Sequence, residues 1–209
     1  MRTDIEAVFT DFGGVLLQLE FERCFKEFSQ LGAVGPNEVL FRSPEFITAM
    51  QNLEAGRIEK DVFFDFLRKI LHIQTDNHRI EEAWNLLIGI VPIYKLQLLR
   101  EIRKHYRLYM VSNTNAPHFD YTRQVLFRDE GLTVDDYFDK IYVSHEIHAL
   151  KPNDDFYRKV IEDSKEDPSK SIFIDDLEAN IQGAKRAGFH AYLIDPEEDL
   201  RKKMLKILA

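Results

Sequence analysis

The sequence predicts an α/β fold, a doubly wound parallel sheet interrupted after its first strand by a block of helices. Three observations predict it. Short apolar runs alternate with amphipathic stretches over much of the chain. Three of those runs end directly in polar residues: Asp11, Ser112 with Asn113, and Asp175 with Asp176. Between the first run and the second, residues 20–90 carry helical spacing and no strand signal.

The first run, from Glu6 to Thr10, reads as a buried strand that stops at Asp11, with Gly13 and Gly14 close behind. A strand that delivers a carboxylate into a Gly-permissive loop puts charge at the carboxyl edge of a sheet, where open α/β folds keep their ligand crevice. Taken alone, the stretch also reads as a plain strand and a Gly turn capped by Asp. Leu17 to Leu19 form a short extension or hairpin arm. Phe21, Cys24, Phe25 and Phe28 then recur at helical spacing, and Leu31-Gly32 ends that helix. Pro36 opens the next, Asn37 to about Arg42. Ser43-Pro44 starts a third, which runs to Ala55 and stops at Gly56. Val62, Phe63, Phe66, Leu67 and Ile70 mark a fourth helix. Ile80, Ala83, Trp84 and Leu87 mark a fifth, ending near Gly89. The aromatic residues of this block read as core rather than as a cofactor box.

Val91-Pro92 returns the chain to the sheet. A helix carrying Ile93, Leu96, Leu99 and Ile102 precedes the second strand, Leu108 to Val111, which ends in Ser112-Asn113-Thr114-Asn115. A helix of about Pro117 to Phe127 follows, then a third strand from Lys140 to Val143 that ends at Ser144-His145. Lys151-Pro152 precedes a helix of about Asp154 to Asp163. The fourth strand, Ser171 to Ile174, ends in Asp175-Asp176. A helix from Glu178 to Ala187 closes at Gly188, Ala191 to Ile194 form the fifth strand, and a terminal helix completes the chain. Such alternation gives right-handed crossovers and a Rossmann-like sheet built from residues 1–19 and 91–209, with residues 20–90 inserted.

Hydrophobic residues make up 44% of the 209, ample for a core, and 16 Phe argue against disorder. Against 28 Lys and Arg stand 36 Asp and Glu, a net charge of -8. An acidic chain with no long basic cluster is a poor partner for nucleic acid or acidic membranes. It still holds a small anion if a cation or backbone amides neutralise it locally. The single cysteine, Cys24, allows no intrachain disulfide and no Cys-based zinc site. Met1 to Asp4 run straight into the first strand, so no signal peptide is expected. No apolar run approaches the ~20 residues needed to span a bilayer. The expectation is a soluble cytoplasmic protein.

The carboxyl ends of parallel strands share one edge, so Asp11, Ser112, Asn113, Asp175 and Asp176 can converge, and Lys151 opens a helix between the last two groups. Adjacent carboxylates with a third converging on them repel. At ~5 Å and an effective dielectric of about 20, each like-charged pair costs roughly 3 kcal/mol. Either one is protonated, or a cation sits among them, or one Asp faces the crevice while the other caps the Glu178 helix. An all-oxygen site of carboxylates and a backbone carbonyl suits Mg²⁺. Ser112 offers a hydroxyl, and Asn113 and Thr114 offer amides near a helix start, which serves an anion as well as a plain polar turn. Lys151 is either a surface Lys-Pro or a point charge for a phosphoryl group that also holds Asp11 ionised.

Asp11-Phe12-Gly13-Gly14-Val15, Ser112-Asn113-Thr114, Lys151-Pro152, and Phe173-Ile174-Asp175-Asp176 with Asn180 resemble, in order, the four motifs of the haloacid dehalogenase-like (HAD) superfamily. The helical block sits where that family carries its alpha-helical cap. The resemblance implies a Mg²⁺-dependent phosphatase of small phosphorylated metabolites, with the cap closing over the site. It implies Asp11 as the nucleophile that forms an aspartyl-phosphate. It implies Asp11, Asp176 and the Gly13 carbonyl as Mg²⁺ ligands, with Asp175 ligating directly or through water. Ser112, the Asn113 amide and Lys151 would grip the transferring phosphoryl group.

One departure matters. Phosphatases of this family usually carry a second Asp two residues after the nucleophile, which protonates the leaving group and then activates the water. This chain has Gly13 there. A backbone carbonyl remains for a metal, but the general acid/base, a ~10²–10⁴-fold contributor, is gone. The loop is similar to that of bacterial glucose-1-phosphate phosphatases, which also carry Gly, and this implies an easy leaving group such as an anomeric sugar phosphate. Two alternatives stay open. One is a metal-independent 2-haloacid dehalogenase, which needs no proton for halide but leaves Asp175-Asp176 unexplained. The other is a non-catalytic binder of phosphorylated ligands. A response-regulator receiver domain is a fold rival, but its acidic pair comes early where this chain's comes late. His72, His78, His145 and His148 have no assigned role; a cap or loop histidine is the candidate to replace the missing acid, and His145 follows a strand end.

Overall fold

The structure is a computed structural model that describes residues 2–35, 37–127 and 131–209. Met1, and Pro36 with its expected place in a helix start, lie outside the described residues. The chain opens with β1 (Ala7–Thr10), whose four residues are all buried, as expected of a strand covered on both faces. Five helices follow: α1 (Phe21–Gln30), α2 (Asn37–Leu40), α3 (Pro44–Glu54), α4 (Lys60–Leu71) and α5 (Asn77–Asn85). The sheet then resumes through α6 (Ile93–Arg103), β2 (Arg107–Ser112), α7 (Ala116–Val125), α8 (Val134–Tyr137), β3 (Lys140–Val143) and α9 (Ser144–Ile147). It finishes with α10 (Asp154–Ser164), β4 (Ser171–Asp175), α11 (Glu178–Arg186), β5 (His190–Leu193) and α12 (Leu200–Ile207).

The five strands make one sheet in the order β3-β2-β1-β4-β5, every neighbouring pair parallel. The chain therefore builds outward from β1 to one edge, then crosses back to β4 and builds toward the other. Thr10 pairs with Met110 on one side and Ile174 on the other, which puts the next residue, Asp11, at the switch point between the two halves. Alternation along the strands feeds two cores. Val8, Leu108, Met110, Ile172 and Ile174 pack with α6 and α12, while Phe9, Tyr109, Val111 and Phe173 pack with α10 and α11.

Helices α1 to α5 share a third apolar cluster, around Phe28, Phe46, Phe63, Leu67 and Trp84, distinct from the two that cover the sheet. Side-chain caps start two of these helices. The Ser43 hydroxyl accepts from the Phe46 N–H (3.2 Å) beside Pro44 in the first turn of α3, and Asp76 caps α5 through the Arg79 N–H. Two chain segments link the block to the sheet. The Glu20 N–H donates to the Leu87 carbonyl (2.8 Å) and Leu19 bridges Ile88 antiparallel, which is what the expected extension at Leu17–Leu19 becomes. Gly89 permits this crossing, since a Cβ there would stand 2.4 Å from the Gln18 carbonyl oxygen.

The differences from expectation are short elements. The one-turn helices α8 and α9 and a 3-10 turn at Pro168–Lys170 are too brief to show a period. Helix α7 stops at Val125, before Phe127 takes a left-handed backbone. Helix α2 stops at Leu40 rather than near Arg42, and β5 starts at His190 rather than Ala191. Among the described residues no helix is long and apolar enough to cross a membrane.

Candidate active site

Asp11 is the first residue past β1, and its N–H still donates to the Ile174 carbonyl (2.9 Å), so the backbone is in sheet register where the carboxylate leaves it. Its Oδ1 accepts from the Phe12 N–H at 2.7 Å. The chain then turns sharply at Gly14, with φ of +77°. A Cβ on Gly14 would stand 2.1 Å from Asp176 Oδ2, so this glycine serves both the turn and the close approach of a carboxylate. Asp11, Asp175 and Asp176 each bring a carboxylate oxygen within 4.8 Å of the others. The expected convergence of these three across the sheet edge is met.

Lys151 enters this acidic group from the loop before α10 and is almost fully buried. Its ammonium lies 2.9 Å from Asp11 Oδ1 and 2.6 Å from Asp175 Oδ2, and it donates to the Val111 carbonyl at 3.1 Å. The sequence alternative of a surface Lys-Pro is thereby overturned: the side chain is drawn inward because two buried carboxylates need a counter-charge. Asn113 braces it. The Asn113 amide donates to the Lys151 carbonyl and accepts from the Lys151 N–H, both at 2.9 Å, so the loop after β2 and the loop carrying Lys151 are clamped together. The Asn113 side chain is thus committed to protein, and its backbone N–H is what remains for an anion. Ser112 ends β2, buried, with its hydroxyl 3.5 Å from the Asn113 carbonyl and so only weakly engaged.

Asp175 lies behind the others. Its Oδ2 takes Lys151, and its Oδ1 accepts from the Asn180 amide and the Leu177 N–H, both at 2.9 Å. The adjacent carboxylates have therefore divided their surroundings, Asp175 facing protein donors and Asp176 facing the crevice. Burial pushes the Asp11 carboxyl up to about 7, with Lys151 pulling the other way and Asp175 adding to the rise. Asp176 is raised by burial and by the charge of Asp175. Burial works against the Lys151 ammonium, but Asp11 and Asp175 together outweigh it and hold its pKa above the ordinary lysine value. Three crowded carboxylates against one ammonium leave excess negative charge, and their donors are all hard oxygens. That chemistry fits a small divalent cation such as Mg²⁺.

A cavity of about 610 Å³ opens over this edge, lined by Asp11, Gly13, Ser112, Asn113, Lys151 and Asp176 and, from the helical block, by Phe21 and Glu54. Glu54 is the residue that sequence reasoning missed. A signal was there: it is the last residue of α3, and a carboxylate at a helix C-terminus opposes the helix dipole. The histidines offered instead lie elsewhere. His145 Nδ1 bonds the Thr114 carbonyl (3.1 Å) and His148 Nδ1 bonds the Ala55 carbonyl (3.2 Å). His72 ends α4, and His78 is exposed beside Glu82. None of the four lines the cavity.

Comparisons with known proteins agree with this geometry. A family model of haloacid dehalogenase-like hydrolases matches residues 5–188. A D-ribitol-5-phosphate phosphatase from Bacteroides thetaiotaomicron is 28% identical over 204 residues, covering 98% of each chain. The structure of the HAD family enzyme BT-2542 from the same organism, an aspartate-to-alanine mutant in complex with magnesium and inorganic phosphate, is 32% identical. It covers 96% of this chain and 98% of its own, with a TM-score of 0.90. A HAD-like hydrolase structure from Porphyromonas gingivalis is 29% identical with a TM-score of 0.87, covering 99% and 98%. The expected Mg²⁺ is thus the ion held by a relative of the same fold, and this chain presents a fitting donor set. With its ordered motifs joined at one sheet edge and a family model matched over most of its length, this chain belongs to the haloacid dehalogenase-like hydrolases.

Proposed function

We propose that the chain is a Mg²⁺-dependent phosphatase of a small phosphorylated sugar or polyol, working through an aspartyl-phosphate on Asp11. The observation that carries this reading is the grouping of Asp11, Asp175 and Asp176 within 4.8 Å, beside a cavity lined by Asp11 and Asp176 together with Ser112 and Lys151. The phosphatase relative, which acts on D-ribitol 5-phosphate, supports the substrate class.

Asp11, Asp176 and the Gly13 carbonyl would hold the ion, with Asp175 supporting from behind. When bound, Mg²⁺ would offset the negative charge of the carboxylates and of the phosphoryl oxygens. Asp11 attacks phosphorus, and the bond to the leaving oxygen breaks as the new P–O bond forms. Lys151, 2.9 Å from Asp11 Oδ1, favours the ionised nucleophile against the burial that raises it. The Ser112 hydroxyl and the Asn113 N–H donate to the phosphoryl oxygens as their charge shifts. Residues 20–90 would act as the cap over a core of residues 1–19 and 91–209, excluding water and contacting the substrate beyond the phosphate. The separate apolar cluster of α1 to α5 and its two-segment connection support that division. A cytoplasmic site of action is consistent with such a substrate. The three crowded carboxylates disfavour a metal-independent dehalogenase, for which they would be uncompensated charge.

The test is phosphate release from p-nitrophenyl phosphate and from a panel of sugar and polyol phosphates, with Mg²⁺ or with chelator. Release that needs both Mg²⁺ and Asp11, with Asp11→Asn inactive, is the expected result. Release from no ester refutes the phosphatase reading, and turnover of 2-haloacids in chelator would replace it.

A further inference from the structure

We propose that Glu54, reaching the site from the helical block, is the general acid and base of the reaction, in place of the side chain that Gly13 lacks. The inference rests on the phosphatase reading above. The chemistry demands such a group. A sugar or polyol ester leaves as an alkoxide, a far stronger base than water can discharge quickly, so its oxygen must be protonated as the P–O bond breaks. Hydrolysis of the resulting acyl phosphate needs a proton removed from water.

Glu54 meets the requirement by elimination and by placement. Of the carboxylates that line the cavity, Asp11 and Asp176 belong to the acidic trio, and Glu197 is exposed and takes a hydrogen bond from Gln18 (3.2 Å). Glu54 is half-buried, and among the described residues no hydrogen bond or ion pair holds its carboxyl. It is held in place from outside. His148 Nδ1 donates to the carbonyl of Ala55, the next residue. Gly56, with φ of +63°, lies so close to the sheet domain that a Cβ there would stand 2.3 Å from the His145 carbonyl oxygen. The end of α3 is therefore seated on α9, and the histidines act as its platform. Burial raises the Glu54 carboxyl to about 7, so protonated and ionised forms are both accessible near neutrality, with Lys151 pulling the other way.

In the first step Asp11 attacks phosphorus, the ester P–O bond breaks, its electron pair stays on the leaving oxygen, and that oxygen takes the Glu54 proton. In the second, the Glu54 carboxylate takes a proton from water while the water oxygen attacks phosphorus. The P–O bond to Asp11 breaks, and its electrons return to the Asp11 carboxylate. Alcohol and phosphate leave, and Glu54 is an acid again.

The experiment compares Glu54→Gln with wild type in rapid-quench assays with Mg²⁺, on p-nitrophenyl phosphate and on D-ribitol 5-phosphate within a panel of primary alkyl phosphates. Nitrophenolate departs without a proton, so the variant is expected to release one nitrophenolate per enzyme in a burst and then stall as a hydroxylamine-labile phosphoprotein. On the alkyl esters its first step should fall by ~10²–10⁴-fold. The second variant adds Gly13→Asp to Glu54→Gln. A Cβ at Gly13 meets nothing closer than Leu19 Cδ2 at 3.9 Å, so a side chain can start there without a clash, and the new carboxylate should restore alkyl ester turnover. Alkyl turnover by Glu54→Gln at the wild-type rate overturns the role of Glu54 alone. So does a double variant that stays as slow as the single one. Wild type that cleaves neither ester class overturns the phosphatase reading and this one with it.

Discussion

Asp176 packs its carboxylate against the bare Cα of Gly14, in space where a Cβ would come within 2.1 Å of Oδ2. The glycine is there for the acid as much as for the turn. Gly14→Ala must strain a backbone at φ of +77° and push Asp176 away from Asp11 and Asp175. The strain costs about 1–2 kcal/mol. Loss of ligand support typically weakens metal binding about 10–100-fold. Calorimetric titration of Mg²⁺ into the purified variant is expected to show a fall of that size, and unchanged affinity would contradict the placement of Asp176.

Lys151 separates two buried carboxylates, and its removal leaves both without a counter-charge. Lys151→Met keeps the volume and drops the charge, which should cost about 3–5 kcal/mol of folding stability. Urea unfolding in chelator checks it. Saturating Mg²⁺ should recover part of the loss, because a cation among the same carboxylates replaces the missing charge and binds only the folded chain.

His118 joins the helical block to the sheet domain. Its Nε2 bonds the Trp84 carbonyl (3.0 Å), its Nδ1 meets the Asn115 amide (3.2 Å), and its ring stacks on Trp84 at 4.7 Å. Burial depresses its pKa to about 4, against an unfolded value of 6.5. The unfolded chain then binds the extra proton first, so this contribution to stability is complete above about pH 6.5 and is lost as pH falls toward 4. At pH 5 the loss is about 2 kcal/mol. Asp11 and Glu54 carry raised values and contribute in the opposite direction, so the measurement is a difference. Unfolding curves of wild type and His118→Gln at pH 7.5 and 5 should show the gap between them shrinking by about that amount.

The sheet was legible because its strands are short, apolar and bounded by turn residues, and the motif residues follow the strand ends directly. Asp11, Ser112 and Asp175-Asp176 could be placed on one edge from that rule alone. Their division of labour could not. Asp175 faces Lys151 and Asn180 while Asp176 faces the crevice, and neighbours in sequence differ here only by which side of the strand end they leave. Asn113 looked like an anion donor, yet its side chain clamps Lys151, a contact between distant loops. Glu54 was lost for a related reason. In sequence it is one more acid before a helix-ending glycine, and only the seating of α3 on α9 turns it toward the cavity.

The pH dependence of the first chemical step separates an acid at Glu54 from a merely structural one. Crowding by the protein raises its carboxyl to about 7, and the Lys151 ammonium draws it back. Asp11, Asp176 and Glu197 share the cavity with it, and His145 and His148 support the turn behind it. A proton donor must start protonated, so in saturating Mg²⁺, whose charge favours the ionised form of the Asp11 nucleophile, single-turnover phosphorylation by an alkyl ester is expected to lose its proton donor above about pH 7. Above that it should fall about tenfold per pH unit, reaching about 100-fold by pH 9. The same assay with p-nitrophenyl phosphate should lack this limb, because its leaving group needs no proton, and Glu54→Gln should lack it with either ester. An alkyl-ester rate that stays flat from pH 6 to 9 in wild type, or the same falling limb in Glu54→Gln, would mean that the proton comes from another group.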